Sequence, residues 1–449
     1  MKKNIISILA AAALTELPLA AQSQSLAGYW KGLLDLGAST LEVCFDIQAS
    51  SDSTYTATLD VPQQGAEGIA VDTFIYDGFS ITMEIKSIGA SYKGLSALGM
   101  ITGNFSQSGV DIPLVLKKGE KTGVKRPQTP QPPFPYKSEE VTFTNSKDGL
   151  TLAGTLTTPE GDGPFNAVAL VTGSGAQNRD EEIMGHRPFA VIADYLTRHG
   201  IAVLRYDDRG VGGSQAGPEG ATSVDFSRDA AAAVQYLRGL GRFRNVGVAG
   251  HSEGGLIAWF LGSEGAVDFI VSLAGPAVSG AKVLDAQRRA LYGAMGLPEE
   301  VIEQNAALFD TLNGIIDKFE TPEAARQEVG QALAMLPADQ RNQILDQLLD
   351  PWMFWFSKYD PADAILATRC PILALGGSKD LQVVAEQNLG RLRELKSAHD
   401  GLDIEIVEIP ELNHLFQHCD TGLNTEYGLI EETFAEEALE RMAEFISRR

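Results

Sequence analysis

The stretch Val246–Leu256, VGVAGHSEGGL, determines how the rest of the chain is interpreted. An apolar run leads into GHSEG at residues 250–254, and small or apolar residues follow. This pattern predicts a strand, a sharp turn and a helix, with Ser252 alone at the tip of the turn. Glycines two residues to either side fit such a turn, because a side chain there would collide across the bend. Short patterns of this kind also arise by chance in glycine-rich chains, so the surrounding segments must support it.

Length and composition limit the fold and the partners. At 449 residues the chain is too long for one ordinary domain, so we expect two. The formal charge of -23 argues against nucleic acid and anionic membranes as partners, because polyanions would be repelled.

Three cysteines, Cys44, Cys370 and Cys419, do not form the pattern of a disulfide framework. The sequence holds no CxxC or HExxH motif that would predict a metal site.

Residues 1–21 have the layout of a secretory signal peptide. Lys2 and Lys3 precede an apolar run, Ile5–Leu14, and small residues stand at positions 20 and 21 before Gln22. The apolar run is too short to span a membrane stably. We therefore expect a periplasmic or secreted bacterial protein.

Residues 26–118 are expected to form short strands separated by turn residues. The predicted strands are 28–33, 40–47, 54–61, 81–85 and 99–105, with 114–116 closing the set. Alternating polarity with a turn about every ten residues predicts a small antiparallel sandwich or barrel. No cluster of titratable residues marks this segment, so we interpret it as a structural or ligand-docking appendage. Five prolines within residues 119–136 indicate an extended linker after it.

From residue 137 to 449, strands alternate with helices. Strands are predicted at 141–144, 151–157, 167–171, 201–205, 246–249, 269–273, 372–375 and 404–408, and helices at 189–199, 223–240 and 431–446. Continuous apolar strands between helices predict an α/β fold with a mostly parallel, doubly wound sheet covered on both faces. Residues 278–359 are expected to be an inserted helical cap.

A serine hydroxyl needs a base to remove its proton and a carboxylate to orient that base. In an open parallel sheet, reactive groups gather at the carboxyl ends of the strands. Asp380 follows the strand at 372–375 on a glycine-rich loop, and His414 follows the last strand. The order serine, aspartate, histidine is the one that this type of sheet imposes. The sequence therefore predicts a catalytic triad of Ser252, Asp380 and His414.

The remaining histidines are weaker candidates for the base. His418 is the second choice, but it lies further from the strand end, and His251 is expected to point away from the serine side chain. The other three, His186, His199 and His399, lie in or beside predicted helices and are expected to be solvated.

Acyl transfer also needs hydrogen-bond donors for the negatively charged oxygen that forms on the substrate. One donor is expected to be the backbone N–H of Glu253, directly after the nucleophile. The second is expected from the loop after the strand at 167–171, at the N–H of Ser174, with Gly175 as the alternative. In the segment YDDRGVGGS at 206–214, we expect Asp207 and Arg209 mainly to tie neighbouring strand ends together.

Residues 141–449 resemble the α/β-hydrolase superfamily. The segments TGSGAQNRD (172–180), RYDDRGVGGS (205–214), GHSEGG (250–255), YDP (359–361), GGSKDLQV (376–383) and PELNHLF (410–416) look like those of secreted bacterial carboxylesterases related to the serine aminopeptidase group. The resemblance implies Ser252 as nucleophile, Asp380 as acid and His414 as base. One departure is that Thr172-Gly173 replaces the His-Gly pair that many members carry in the oxyanion loop.

These observations predict a serine carboxylesterase that cleaves small-molecule esters of small or medium acyl or aryl groups and needs no cofactor. The aromatic run 352–356 is expected to roof the pocket, with Trp352 and Trp355 against the substrate. Two alternatives stay open. One is a serine peptidase that releases N-terminal residues, with an acid such as Glu253 pairing with the substrate amine. The other is a secreted binding protein with a vestigial hydrolase domain.

Overall fold

In the computed structural model, residues 25–36, 40–50, 54–121 and 124–449 are described. The predicted signal peptide, residues 1–21, lies outside them. The chain divides into two compact units, one of residues up to 61 together with 67–122, and one of residues 62–66 together with 123–449. Of the helices in the described ranges, none has the length and apolarity needed to cross a lipid bilayer.

The first unit contains one nine-stranded sheet. Its strands are β1 Gly28–Asp35, β2 Thr40–Ala49, β3 Tyr55–Val61, β4 Ala66–Ala70, β5 Thr73–Tyr76, β6 Ser80–Ile85, β7 Ala90–Ala97, β8 Met100–Gln107 and β9 Val110–Gly119. They lie in the order β4-β3-β2-β1-β9-β8-β7-β6-β5. Buried side chains such as Phe45, Leu59 and Tyr92 form the apolar side of this antiparallel sheet.

The second unit is built on an eight-stranded sheet. Its strands are β10 Lys137–Asn145, β11 Leu150–Thr158, β12 Phe165–Val171, β13 Ile201–Tyr206, β14 Phe243–His251, β15 Ile270–Leu273, β16 Ile372–Gly377 and β17 Ile404–Ile409. The order is β10-β11-β13-β12-β14-β15-β16-β17. Within this sheet the pairs β10–β11 and β11–β13 are antiparallel and the other pairs are parallel, and the central strands are buried along their length. The predicted mostly parallel sheet is confirmed.

Helices cover both faces of this sheet. On one face, α2 Ser223–Gly239, α3 Glu253–Ser263 and α10 Ala385–Ala398 pack on residues such as Ala169 and Val248. On the other face, α1 Pro188–Arg198 and α12 Glu436–Ser447 pack on residues such as Val168 and Ala249. Neighbouring residues of a strand point to opposite faces of the sheet. Consecutive apolar residues in one strand therefore contribute to the apolar cores on both faces.

Six helices follow β15 before the chain returns to the sheet at β16. They are α4 Gly280–Ala294, α5 Glu299–Ile316, α6 Pro322–Ala332, α7 Ala338–Leu348, α8 Pro351–Lys358 and α9 Ala362–Ala367. Helices α5 to α8 share a separate apolar core that includes Leu312, Val329 and Phe354. The short helix α11, Asn424–Tyr427, lies between β17 and α12.

The last helix begins later than the sequence pattern predicts, at Glu436 rather than at residue 431. The backbone just before it makes long-range hydrogen bonds instead of helical ones. The N–H of Ala435 donates to the carbonyl of Phe416, and the N–H groups of Thr433 and Phe434 donate to the side chain of Gln128. These partners are distant in the sequence, so local periodicity could not reveal them.

Candidate active site

Ser252 occupies the turn between β14 and α3 in a strained backbone conformation. Its φ is 53° and its ψ is -117°, a region that residues with a Cβ rarely adopt. The N–H of Ser252 donates to the carbonyl of Leu273 at 2.8 Å, which holds the turn against the neighbouring strand. A Cβ on Gly250 would lie 2.0 Å from the carbonyl oxygen of Gly254, and one on Gly254 would lie 2.1 Å from that of Val171. The two glycines are therefore required by contact, as the sequence pattern predicts.

Asp380 and His414 form a buried hydrogen-bonded pair. His414 Nδ1 lies 2.8 Å from Asp380 Oδ2. The other carboxylate oxygen accepts the N–H groups of Gln382 and Val383 at 2.8 and 2.9 Å. A carboxylate held in this way accepts a hydrogen bond from Nδ1–H and leaves Nε2 of the ring as the proton acceptor. Among residues 124–449, no protein group forms a hydrogen bond with Nε2 of His414.

The loop that carries His414 is joined directly to the serine turn. His251, the residue before Ser252, lies with its Nε2 atom 2.9 Å from the carbonyl oxygen of His414. The two imidazole rings are 4.7 Å apart between centroids. The structure thus brings the loops of Ser252, Asp380 and His414 to the carboxyl ends of β14, β16 and β17, where the sequence predicted them.

The two backbone N–H groups predicted to bind the oxyanion both flank the serine. Glu253 follows Ser252 at the start of α3. Ser174 follows Gly173, which lies so close to the serine that a Cβ added to this glycine would be 3.3 Å from Cβ of Ser252. Within residues 124–449, neither N–H is hydrogen-bonded to another protein group. The N–H of Gly173, in contrast, donates to Glu181 Oε1 at 2.6 Å.

A cavity of about 590 Å³ adjoins these loops. It is lined by the loop 171–176, by residues 206, 208, 209, 216–218, 220 and 221, and by Phe226, Asp229, Glu253, Ile257, Asp350 and Trp352. Trp352 therefore lines the cavity as the sequence predicts. Trp355 is not among the lining residues, because its ring stacks on Tyr359 at 4.8 Å and contacts Phe260. Trp352, three residues earlier in α8, thus takes the position next to the cavity.

Two largely buried carboxyl groups in the cavity wall, those of Glu253 and Asp208, lack a cationic partner among the described residues. Glu253 is 4% exposed and accepts hydrogen bonds from Ser223 Oγ at 2.5 Å and Trp352 Nε1 at 2.7 Å. Asp208 accepts hydrogen bonds from Thr172 Oγ1 and from the N–H of Gln177. Burial raises the pKa of both, that of Asp208 to about 7, against the opposing effect of these donors.

Asp207 and Arg209, which stand on either side of Asp208 in the sequence, form ion pairs with other parts of the second unit, as predicted. Asp207 is bound by the guanidinium of Arg179 and accepts its backbone N–H. Arg209 donates to Asp229 at 2.7 Å and to Asp148 at 3.0 Å. These pairs connect the loop after β13 with the loop after β12, with α2 and with the β10–β11 turn. Arg209 also touches the cavity, but its charge is already compensated.

The remaining histidines divide into three groups. His199 and His399 are exposed, and His418 pairs with Glu432 at 2.9 Å. The expectation that His186 is solvated is wrong. Its ring is fully buried between the hydroxyl of Thr433 and the carbonyl of Tyr427, both far away in the sequence.

One buried residue near the site was not singled out from the sequence. Glu181 is 4% exposed, has a φ of 51° and contacts both Gly173 and His251. It belongs to the acidic run DEE at 180–182, in which nothing distinguishes the buried carboxylate from an exposed one. Only the segment's place directly after the oxyanion loop pointed to the site.

Comparison with known proteins agrees with this fold. Residues 170–423, more than half of the chain, match the model of the "Alpha/beta hydrolase family". Esterase EstD of Thermotoga maritima is 28% identical over 302 residues, which cover 67% of this chain and 65% of that protein. The chain thus aligns with slightly less than two thirds of this relative.

Two solved esterase structures are also similar. Esterase Pf2001 of Pyrococcus furiosus is 18% identical, and the match covers 74% of this chain and 99% of that one with a TM-score of 0.43. Est1E of Butyrivibrio proteoclasticus, solved with ferulic acid, is 18% identical, with 69% and 97% covered and a TM-score of 0.42. By the extent of the family match, this chain belongs to the alpha/beta hydrolase family.

Proposed function

We infer that the protein is a serine carboxylesterase that acts on small-molecule esters. The observation that carries this proposal is the hydrogen-bonded pair His414–Asp380, whose loop is bound to the strained turn that presents Ser252. A relative of this chain is named an esterase, which agrees with the proposal. A binding protein with a vestigial hydrolase domain would not need these three residues at three strand ends.

In the proposed reaction, Ser252 Oγ attacks the ester carbonyl carbon while its proton moves to Nε2 of His414. The N–H groups of Glu253 and Ser174 stabilise the oxyanion, and the imidazolium then donates its proton to the departing alcohol. Water enters, loses a proton to the same nitrogen and cleaves the acyl-enzyme, which returns Ser252 to its starting form. Asp380 keeps the ring oriented and stabilises its positive charge in both steps.

The cavity supports the proposed substrate class. Its volume of about 590 Å³ lies in the range of small-ligand sites. The indole of Trp352 and the side chains of Phe226 and Ile257 supply apolar surface for an acyl or aryl group.

The test is hydrolysis of p-nitrophenyl acetate and butyrate by the wild type, by Ser252→Ala and by the control Ser263→Ala. Ser263 lies at the other end of α3, and among the described residues its hydroxyl donates only to the carbonyl of Phe260. We expect Ser252→Ala to lose at least about a thousandfold in kcat/KM and the control to keep its activity. Equal rates in the wild type and in Ser252→Ala would refute the assignment.

A second candidate function is a serine peptidase that binds a free amino terminus. The observation in its favour is the pair of carboxyl groups of Asp208 and Glu253, which line the cavity and, in the described ranges, have no cationic partner. An ammonium group is one ligand that would neutralise them. An aminoacyl p-nitroanilide, assayed beside the esters, separates the two functions. Cleavage of the anilide alone would replace the esterase by the peptidase.

We also propose that the protein is exported. The basic and apolar segments of residues 1–21 support this. Mass spectrometry of protein from the periplasm or medium of a bacterial host is expected to show a chain that begins at Gln22. An intact Met1 in the cytoplasmic fraction only would contradict it.

A further inference from the structure

A single carboxylate oxygen bridges two loops of the candidate active site. Glu181 Oε1 accepts the N–H of Gly173 at 2.6 Å and lies 3.0 Å from Nδ1 of His251. Both side chains are buried, Glu181 to 4% and His251 to 6% exposure. Glu181 adopts a φ of 51°, which is unfavourable for a residue with a Cβ and persists only where the surroundings enforce it.

The hydrogen-bond partners of His251 determine its protonation. Nε2 lies 2.9 Å from the carbonyl oxygen of His414, and a carbonyl only accepts, so Nε2 carries a hydrogen. Nδ1 faces an oxygen that already accepts from Gly173, and a carboxylate oxygen can accept a second donor. The geometry is therefore that of an imidazolium with both nitrogens donating.

The charged groups around this ring agree with a protonated state. Glu181 contacts it directly, Asp380 acts on it from behind the ring of His414, and Asp208 lies near Glu181 on the cavity side. Burial lowers the pKa of His251, but attraction and hydrogen bonding to Glu181 outweigh this, and the pKa is raised overall. The pair of Glu181 and His251 is neutral as a whole, which makes its burial possible.

These contacts form one continuous connection from Gly173 through Glu181 and His251 to His414. One end is the residue before the predicted oxyanion donor Ser174, and the other is the backbone of the predicted base. We propose that Glu181 is a positioning residue, which through the protonated His251 fixes the oxyanion loop and the His414 loop relative to each other around Ser252. This proposal rests on the proposed hydrolase function, because it assigns Glu181 a role in the same reaction.

The variant Glu181→Gln removes the negative charge of the bridging carboxylate while the side chain keeps nearly the same shape. If the amide oxygen of the variant faces both groups, it accepts a hydrogen bond from the N–H of Gly173 at every pH. It accepts one from Nδ1 of His251 only while His251 is protonated. If the amide nitrogen faces them, it donates to a neutral His251 but opposes the N–H of Gly173. Without the carboxylate, His251 loses its extra proton near or below its ordinary pKa of about 6.5. The variant therefore retains the connection in acid and loses it as the pH rises.

The experiment measures kcat and KM for p-nitrophenyl acetate from pH 5.5 to 8.5 in the wild type, Glu181→Gln and the control Asp268→Asn. Asp268 also accepts a backbone N–H, that of Val246, but at the opposite end of β14. We expect the kcat of Glu181→Gln to approach the wild-type value at pH 5.5 and to fall about 10- to 100-fold below it at pH 8, with KM changed less than about threefold. Asp268→Asn is expected to show a constant ratio to the wild type.

A ratio of Glu181→Gln to wild-type kcat that does not vary with pH would overturn the proposal, even if the variant were less stable. This result is distinguishable from failure of the proposed function, because the proposed function is tested only by comparing the ester hydrolysis of the wild type with that of Ser252→Ala. A second measurement needs neither activity nor a stable Glu181 variant. Nitrogen-15 NMR of histidine-labelled His418→Gln protein at pH 7.5 is expected to show one ring with both nitrogens protonated. His418 is removed because it too lies beside carboxylates, and absence of a doubly protonated ring would refute the proposal.

Discussion

The substitution Gly254→Ala is expected to damage both stability and catalysis through one contact. A Cβ on Gly254 would lie 2.1 Å from the carbonyl oxygen of Val171 and 2.7 Å from that of Thr172, whereas ordinary contacts begin at 3.4 Å. The helix and the end of β12 must therefore separate by more than about 1 Å, and neither side is a flexible side chain. Such overpacking costs about 3 kcal/mol of unfolding free energy, which exceeds the gain of about 1 kcal/mol from alanine's helix propensity.

The same displacement reaches the predicted oxyanion donors. Val171 is the last residue of β12, and the loop with Gly173 and Ser174 begins directly after it. A shift of about 1 Å at a catalytic group costs about a hundredfold in rate. We therefore expect Gly254→Ala to lose about a hundredfold in kcat/KM for p-nitrophenyl esters under conditions in which it remains folded.

The measurement is urea unfolding followed by tryptophan fluorescence, together with the ester assay. Gly314→Ala is the matched control, because Gly314 is an exposed position within α5 and an added Cβ there would meet nothing within 4 Å. This control is expected to gain up to about 1 kcal/mol from helix propensity alone. If Gly254→Ala unfolded at the same urea concentration as the wild type and kept its activity, the close approach of α3 to β12 would be refuted.

Three further predictions concern buried charges. Arg209→Met leaves the carboxylate of Asp229 buried without its partner and is expected to lower the free energy of unfolding by about 3–5 kcal/mol, measured by urea unfolding. Trp352→Phe removes one of the two donors to Glu253, so its free energy of unfolding is expected to fall by about 1–2 kcal/mol in urea unfolding, with a larger loss at higher pH as this carboxyl, whose pKa burial raises, becomes charged. The pKa of Asp208 is raised to about 7, so the folded state binds a proton that the unfolded state has lost above about pH 4. The contribution of Asp208 to wild-type stability therefore decreases between about pH 4 and 7, and the stability of Asp208→Asn is expected to rise relative to that of the wild type by up to about 1.4 kcal/mol per pH unit across this range.

The succession of strands and helices along the second unit and the triad candidates could be proposed from local patterns, whereas the order of the strands within the sheet was not predicted. Each of Ser252, Asp380 and His414 follows an apolar strand by a few residues. A parallel sheet collects such positions at one edge whatever the intervening sequence contains. The glycines of the serine turn, Gly250 and Gly254, were predictable for the same reason. The collision that excludes a side chain at these positions takes place within the turn and with the adjacent strand.

Several elements of the first unit were missed because their sequences lack clear alternation. Strand β7, ASYKGLSA, contains small and polar residues that carry little strand preference, and β4, AEGIA, includes a glycine. Their pairing with neighbours that were recognised, such as that of β7 with β8, places them in the sheet. Pairing partners decide strand formation here more than local preference does.

Charge states could not be predicted, because they depend on partners that are distant in the sequence. Asp207 and Asp208 are adjacent and chemically identical, yet they lie in opposite electrostatic environments. Burial raises the pKa of Asp207, but the guanidinium and backbone N–H of Arg179 outweigh it and hold this pKa below the ordinary value. Asp208 is bound, among the described residues, only by the neutral donors Thr172 Oγ1 and the N–H of Gln177, and burial raises its pKa.

This difference bears on where substrate selectivity is to be found. A buried carboxylate that already has a guanidinium partner, such as Asp207, offers little to a substrate, since any new contact would have to compete with that pair. Asp208 and Glu253 line the cavity and, within the described ranges, have only neutral hydrogen-bond donors as partners. A substrate that brings a hydroxyl or ammonium donor to these oxygens therefore gains more than one that brings an acceptor. Selectivity among esters is accordingly expected to follow the donors that the acyl or alcohol group carries more closely than its length, and a series of esters matched in size but differing in one donor is the direct test.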